Sequence, residues 1–303
     1  MEYVLETDAL TKRYRKFTAL NGLSMHVPKG SIYGFIGRNG AGKTTLIRLI
    51  CGLQEPTDGK IELYGAQNGT KEIYKARRRI GALVETPAIY RDMTAKENLK
   101  QQYRVLGLPS FDKIDELLTL VGLSDSDKKK AGRFSLGMRQ RLAIAIALCG
   151  DPDFLVLDEP MNGLDPQGII EMRELILKLN REKQVTVLVS SHILDELSKV
   201  ATHYGFIDKG SIIKEMSAEE LEMQCRKCVR IEVSNIKTLS YVLDSKGFEY
   251  KIIDNSKADI YADFQVTKLV SALEKENCIV YSIKEHDESL ESYFINLVGG
   301  DEK

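Results

Sequence analysis

The sequence predicts an α/β core that carries a helical insertion and is followed by a small α+β domain. Three observations support that prediction. Over the first two-thirds of the chain, short apolar runs that read as buried parallel strands alternate with helical stretches. One such run enters a glycine-rich turn, Gly37-Arg38-Asn39-Gly40-Ala41-Gly42-Lys43-Thr44, from which a helix departs. Near residue 225 the rhythm changes to β-α-β-β-α-β, the order of a ferredoxin-like sandwich.

The first elements are strands. Residues 3–27 alternate apolar and polar side chains, most clearly in Tyr3-Val4-Leu5 and Leu23-Ser24-Met25-His26-Val27. Ser31–Ile36 reads as a buried strand entering the turn, and Thr45–Cys51 as the helix leaving it. Gly59–Gly65 and Ile80–Val84 add further strands. From about residue 94 the pattern is helical: Thr94 is placed as an N-cap, with Glu97 at the capping-box position. Ile114–Val121 is a second helix, ended by Gly122, and Leu142–Leu148 a third, apolar almost all round and so buried. Phe154–Leu157 and Val185–Val189 read as central parallel strands, with the helix Ile169–Asn180 crossing between them. In the last part, strands are expected at 229–234, 249–253, 258–262 and 279–284, and helices at 236–246 and 265–276. An amphipathic helix over Ser289–Leu297 follows them.

Composition narrows the function classes. A chain of 303 residues has room for about two domains. A formal net charge of −1 gives no electrostatic reason to expect a nucleic-acid partner. No apolar run is long enough to span a bilayer, and Met1–Asp8 is acidic without a signal-peptide core, so a cytoplasmic protein is expected. The five cysteines do not form a disulfide framework. Cys51 and Cys149 lie in apolar helical runs, and the lone Cys225/Cys228 pair has only Cys278 and His286 beyond it as further zinc ligands, so reduced thiols are expected.

Chemistry concentrates at strand ends. In the 37–44 turn the glycines let successive N–H groups point at an anion, Lys43 can reach terminal phosphates, and the Thr44 hydroxyl can bind Mg²⁺. Gly37, Asn39, Gly40, Gly42, Lys43, Thr44 and Thr45 are the candidate phosphate-binding positions. The strand Phe154–Leu157 ends in Asp158 and Glu159. Asp158 is placed to reach the metal through a water, and Glu159 to orient or deprotonate a water attacking the γ-phosphate. Ser190-Ser191-His192 ends another apolar strand, so His192 is expected at the same edge, within reach of that phosphate. Ser135 is placed to cap the helix that carries Gly137 and Gln140, whose first N–H groups can meet an anion.

Taken together, the phosphate loop, Ser135–Gln140, Leu157–Pro160, Asn162–Asp165 and Ser191-His192, in that order, resemble the nucleotide-binding subunit of an ABC transporter. The resemblance covers about residues 3–215. It implies a P-loop NTPase, ABC-type nucleotide-binding domain over 1–220, with its helical subdomain at about 85–150 and a C-terminal α+β (ferredoxin-like) domain over 225–303. It further implies that Tyr14 stacks on adenine and that ATP and Mg²⁺ are the cofactors. Ser135, Gly137 and Gln140 match the family signature, usually Leu-Ser-Gly-Gly-Gln, in a degenerate form that contacts ATP held by a second subunit. Asn162–Asp165 matches the loop that crosses that dimer interface.

One departure from the family pattern stands out. Where the family usually has Gln, this chain has Glu85, followed by Thr86-Pro87. The resemblance places Glu85 near the metal with Thr44 and Asp158, where a carboxylate adds negative charge. This version, together with the ending Glu288–Phe294, is similar to subunits of bacitracin-type and lantibiotic self-protection exporters. The expected protein is therefore an ATPase, with Glu159, His192 and Lys43 as its catalytic residues. It powers a separate membrane permease from the inner face of the cell membrane, as a homodimer or heterodimer of nucleotide-binding subunits. Glu85–Leu106 is the expected docking stretch. A soluble ABC-type ATPase acting on ribosomes or DNA is the alternative, although such proteins carry two cassettes or a long coiled coil.

Overall fold

The computed structural model describes residues 2–286 apart from 87, 127, 226, 227 and 263, and beyond them only 293, 294 and 297. Pro87, most of the helix expected over Ser289–Leu297 and most of the Glu288–Phe294 ending lie outside the described residues. The chain divides into two compact units, one running to Ala218 and one beginning at Glu219.

The first unit opens with β1 (Tyr3–Tyr14), β2 (Phe17–Pro28), β3 (Ile32–Ile36), α1 (Lys43–Ile50), β4 (Asp58–Leu63), β5 (Ala66–Gln67), α2 (Glu72–Arg77) and β6 (Ile80–Leu83). The helical insertion follows as α3 (Ala95–Leu106), α4 (Ile114–Leu120) and α5 (Leu136–Leu148). The chain then returns to the core through β7 (Phe154–Asp158), α6 (Pro166–Lys183), β8 (Thr186–Ser191), α7 (Leu194–Leu197), β9 (His203–Asp208) and β10 (Ser211–Ser217). The sequence pattern does not mark β5, α2, α7, β9 or β10.

Two sheets result. One is antiparallel in the order β2-β1-β4-β5, and the other runs β10-β9-β3-β8-β7-β6. In the second, β9, β3, β8, β7 and β6 are parallel and β10 pairs antiparallel with β9. The central strands β3, β7 and β8 are buried at every residue, as continuous apolar runs in a covered parallel sheet should be. Helix α1 packs into the core between the sheets. Its Leu46, Ile47, Leu49 and Ile50 meet Leu5, Leu20 and Met25 of the antiparallel sheet and Phe35, Phe154 and Leu188 of the parallel one. Burying each such side chain stabilises the fold by about 1.5–3 kcal/mol.

Caps delimit the insertion. Thr94 and Glu97 form a reciprocal capping box, with the Glu97 N–H 3.2 Å from the Thr94 hydroxyl and the Thr94 N–H 2.7 Å from the Glu97 carboxylate. Those bonds hold the Glu97 carboxyl below its usual range, the Thr94 backbone bond being the largest cause. Asp165 caps α6 ahead of Pro166 at its first position. A half-buried carboxylate-centred contact also ties the strands together. Glu215 on β10 accepts from the Tyr33 hydroxyl of β3 at 2.6 Å and from the His26 N–H of β2 at 2.8 Å. Burial, and then Glu215, push the Tyr33 phenol well above its ordinary pKa.

Helix α8 (Ala218–Gln224) precedes the second unit's fold, which is built from β11 (Cys228–Val233), α9 (Ile236–Ser245), β12 (Tyr250–Ile252), β13 (Lys257–Ile260), α10 (Val266–Lys275) and β14 (Val280–His286). Its sheet is antiparallel in the order β12-β13-β11-β14, the ferredoxin-like arrangement. Ile231, Val233 and Ile260 of the sheet pack on Leu239 and Leu243 of α9 and on Leu269 and Leu273 of α10.

Candidate nucleotide-binding and catalytic site

The loop between β3 and α1 is shaped by positions that admit no side chain. Gly42 has φ 113°, and a Cβ there would stand 2.7 Å from the Ala19 carbonyl oxygen. A Cβ on Gly37 would stand 2.5 Å from Ile207. Helix α1 begins at Lys43 with no side-chain cap and no acidic residue in its first turn. Its first N–H groups and its partial positive charge are therefore left for an anion held by the loop. Asn39 and Gly40 are exposed at the tip, whereas Thr45 is half-buried.

Strand register brings the charged groups together. Parallel pairing sets Asp158 of β7 beside Ser190 of β8, and Ile36 of β3 beside Ser191. Lys43 is buried, and its Nζ donates to the carbonyls of Gly37 at 2.6 Å and Arg38 at 3.3 Å and lies 3.2 Å from Glu159 Oε1. The Thr44 hydroxyl donates to Asp158 Oδ2 at 2.8 Å. The Ser190 hydroxyl donates to Asp158 Oδ1 at 2.7 Å and accepts the Glu159 N–H at 2.9 Å. Glu159 itself has a left-handed backbone, φ 48°. Its Oε2 lies 3.1 Å from His192 Nδ1 and accepts from Asn162 Nδ2 at 3.2 Å. Lys43, Thr44, Asp158, Glu159 and His192 thus meet at one edge of the sheet.

The remaining predicted positions sit elsewhere. Tyr14 ends β1, partly exposed, with its hydroxyl bonded to Gln54. The Glu85 carboxylate is paired with Arg48 of α1, not with Thr44 or Asp158, and its backbone is left-handed at φ 58°. Ser135 caps α5 by accepting the Met138 N–H at 3.2 Å. Gln140 is buried, and its side-chain oxygen has no partner among the described residues. Among the described residues no hydrogen bond joins Ser135, Gly137 or Gln140 to the phosphate loop. Instead that turn neighbours the 162–165 loop, since the Leu136 side chain reaches within 3.2 Å of where a side chain on Gly163 would begin.

The geometry gives Ser190, Arg48 and Glu196 roles that the sequence does not assign, and gives Asn162, expected only at a dimer interface, a contact within the site. Ser190 bridges Asp158 and Glu159, Asn162 holds Glu159, and Arg48 holds Glu85. Glu196 lies near His192, with its carboxyl raised above the usual range mainly by burial, while His192 opposes that rise. Only the serine at the strand end was a visible signal, and its partner becomes known only once β7 and β8 are in register.

Comparison with known proteins agrees with this geometry. Residues 20–162 match the family model described as ABC transporter. The chain is 41% identical over 304 residues to the bacitracin transport ATP-binding protein BcrA of Bacillus licheniformis, covering 99% of each. It is 43% identical to the lantibiotic transport ATP-binding protein SrtF of Streptococcus pyogenes, over 70% of this chain and 90% of that one. Among solved structures, an ATP-binding cassette of an ABC transporter in its ADP conformation superposes with a TM-score of 0.66 at 29% identity, over 73% of this chain and 93% of the other. Identity of this extent along the whole chain establishes the family: the protein belongs to the ATP-binding subunits of ABC transporters, and it is an ATPase.

Proposed function

We propose that the protein powers the export of an amphipathic peptide antibiotic, of the bacitracin or lantibiotic kind, through a separate membrane permease. The relatives named for bacitracin and lantibiotic transport support the cargo class. Among the described residues no helix is long and apolar enough to cross a membrane, which is consistent with a separate permease. The protein would sit on the inner face of the cell membrane. The stretch Glu85–Leu106, with Val105 and Leu106 exposed at the end of α3, is the proposed docking surface.

The observation that carries the catalytic assignment is the setting of the Glu159 carboxylate, with Lys43 at 3.2 Å on one oxygen and His192 at 3.1 Å on the other. Lys43 and the N-terminus of α1 bind the terminal phosphates. Glu159, held by Asn162, orients the attacking water and takes its proton. His192 donates to the γ-phosphate. The Thr44 hydroxyl and Asp158 carboxylate converge within 2.8 Å, a hard-oxygen pair that suits Mg²⁺. Among the described residues no three His, Cys, Asp or Glu side chains form a metal site, so nucleotide phosphates and water would complete the coordination. When bound, the ion neutralises charge on the phosphates. A Glu85 contact to that ion requires Glu85 to leave Arg48. Tyr14 stacks on adenine, and Ser135, Gly137 and Gln140 cover the ATP of a second subunit, identical or related.

The assignment is tested by Glu159→Gln, which is expected to keep ATP binding and lower turnover by about 100-fold or more. Undiminished hydrolysis would show that another residue handles the water. The cargo is tested by co-expressing the protein with its permease in antibiotic-sensitive cells. Tolerance to bacitracin or a lantibiotic should rise, and Glu159→Gln should abolish the gain. No gain for either class would overturn the cargo assignment.

A further inference from the structure

The strand that carries Tyr14 is fastened to the loop following α1 by a run of bonds. The Thr57 N–H donates to the Thr11 carbonyl at 2.8 Å, and the Arg13 N–H donates to the Thr57 hydroxyl at 3.0 Å. Lys12 Nζ donates to the Glu55 carbonyl at 2.5 Å, and the Tyr14 hydroxyl donates to Gln54 Oε1. The backbone bonds align the strand, whereas the Gln54 bond anchors the tip of the Tyr14 side chain. That loop is itself tied to α1, because the Leu53 N–H donates to the Arg48 carbonyl at 2.9 Å. Helix α1 therefore begins at the phosphate cradle and ends at the support of the aromatic ring.

The two faces of the ring are not equivalent. The Lys12 ammonium lies 5.3 Å from the ring centroid, a cation–π contact that occupies one face and leaves the other for a stacked base. A tyrosine side chain free to swing about its χ angles would lose that selection, so fixing the phenol fixes the stacking face.

We propose that Gln54 is a positioning residue for nucleotide binding: it holds Tyr14 at a set distance from the phosphate cradle with one ring face presented to adenine. The inference rests on Tyr14 being the adenine-stacking residue. Gln54 acts on the base alone and leaves the phosphates untouched.

The test compares binding of ATP with binding of inorganic tripolyphosphate, both with Mg²⁺, in the full-length protein. Gln54→Ala is expected to weaken ATP by about 3- to 10-fold, the range of one modest hydrogen bond, without weakening tripolyphosphate. Tyr14→Phe should match it, the double variant should be no worse than either single one, and Gln54→Glu, which keeps an acceptor, should restore affinity. Equal loss for ATP and tripolyphosphate would overturn the proposal, since the loop would then merely shape the cradle. If Tyr14→Ala weakens ATP while Gln54→Ala does not, the proposal fails and the stacking assignment stands. If Tyr14→Ala has no effect, the stacking assignment fails and the proposal with it.

Discussion

Ser190 holds two groups at once, the buried Asp158 carboxylate and the part-buried Glu159 N–H. Without its hydroxyl, Asp158 Oδ1 and the Glu159 N–H each lose a partner. Ser190→Ala is therefore expected to lower stability by about 1–3 kcal/mol and to reduce ATP turnover, measured by urea unfolding and by phosphate release. Glu85 presents the opposite case. It is half exposed and paired with Arg48, and surface pairs contribute at most about 1 kcal/mol. Glu85→Gln should leave the unfolding midpoint almost unmoved, so a change in the Mg²⁺ requirement for hydrolysis would report direct contact with the ion. At this scale the legible residues were those whose meaning is local in sequence. Lys43 and Thr44 are set by the spacing of one loop, whereas the bonds of Ser190 to residues 158 and 159 depend on strand pairing that no short stretch encodes.

Among elements, α1 is the one with the most to lose. Ile47 is fully buried between the sheets, and Ile47→Ala is expected to cost about 2–5 kcal/mol in urea unfolding. The start of α3 should respond to acid. The folded-state pKa of Glu97 is lowered, so its contribution is present above the unfolded value of about 4.3 and is lost as pH falls through the folded one. Hydrogen exchange at the Thr94 and Glu97 amides should accelerate in that window, and Glu97→Gln should make it insensitive to pH. The capping box was legible because its residues lie three apart. The long hairpin was legible only in pieces: β1 shifts register against β2 between Thr7 and Leu10, where Ala9 turns left-handed, so apolar alternation breaks mid-strand. Strand β9 is not legible because it pairs with β3, some 170 residues upstream, and edge strand β10 is not because it is mostly half-buried and lacks a clear apolar alternation.

At the scale of the whole molecule, each unit buries a core of its own, which is why the change of rhythm near residue 225 was readable. Association was less so, because half of each proposed ATP site lies on another chain. Glu159→Gln with ATP is expected to elute as a dimer in size-exclusion chromatography. Removing Mg²⁺ with a chelator should return it to monomers, and a monomer under both conditions would contradict the shared site.

The contact between Tyr33 and Glu215 also sets a limit at high pH. Tyr33, Tyr64 and Tyr103 all hold their phenols protonated above the ordinary range, chiefly through burial. The stability bound up with those protons is complete below a pH of about 10 and is lost as pH rises from there through the folded-state values. The phenolate of Tyr33, which is buried, should appear only in an abrupt step of ultraviolet absorbance that coincides with loss of helical circular dichroism. The strand that delivers the phosphate loop would thus carry its own optical marker of alkaline unfolding.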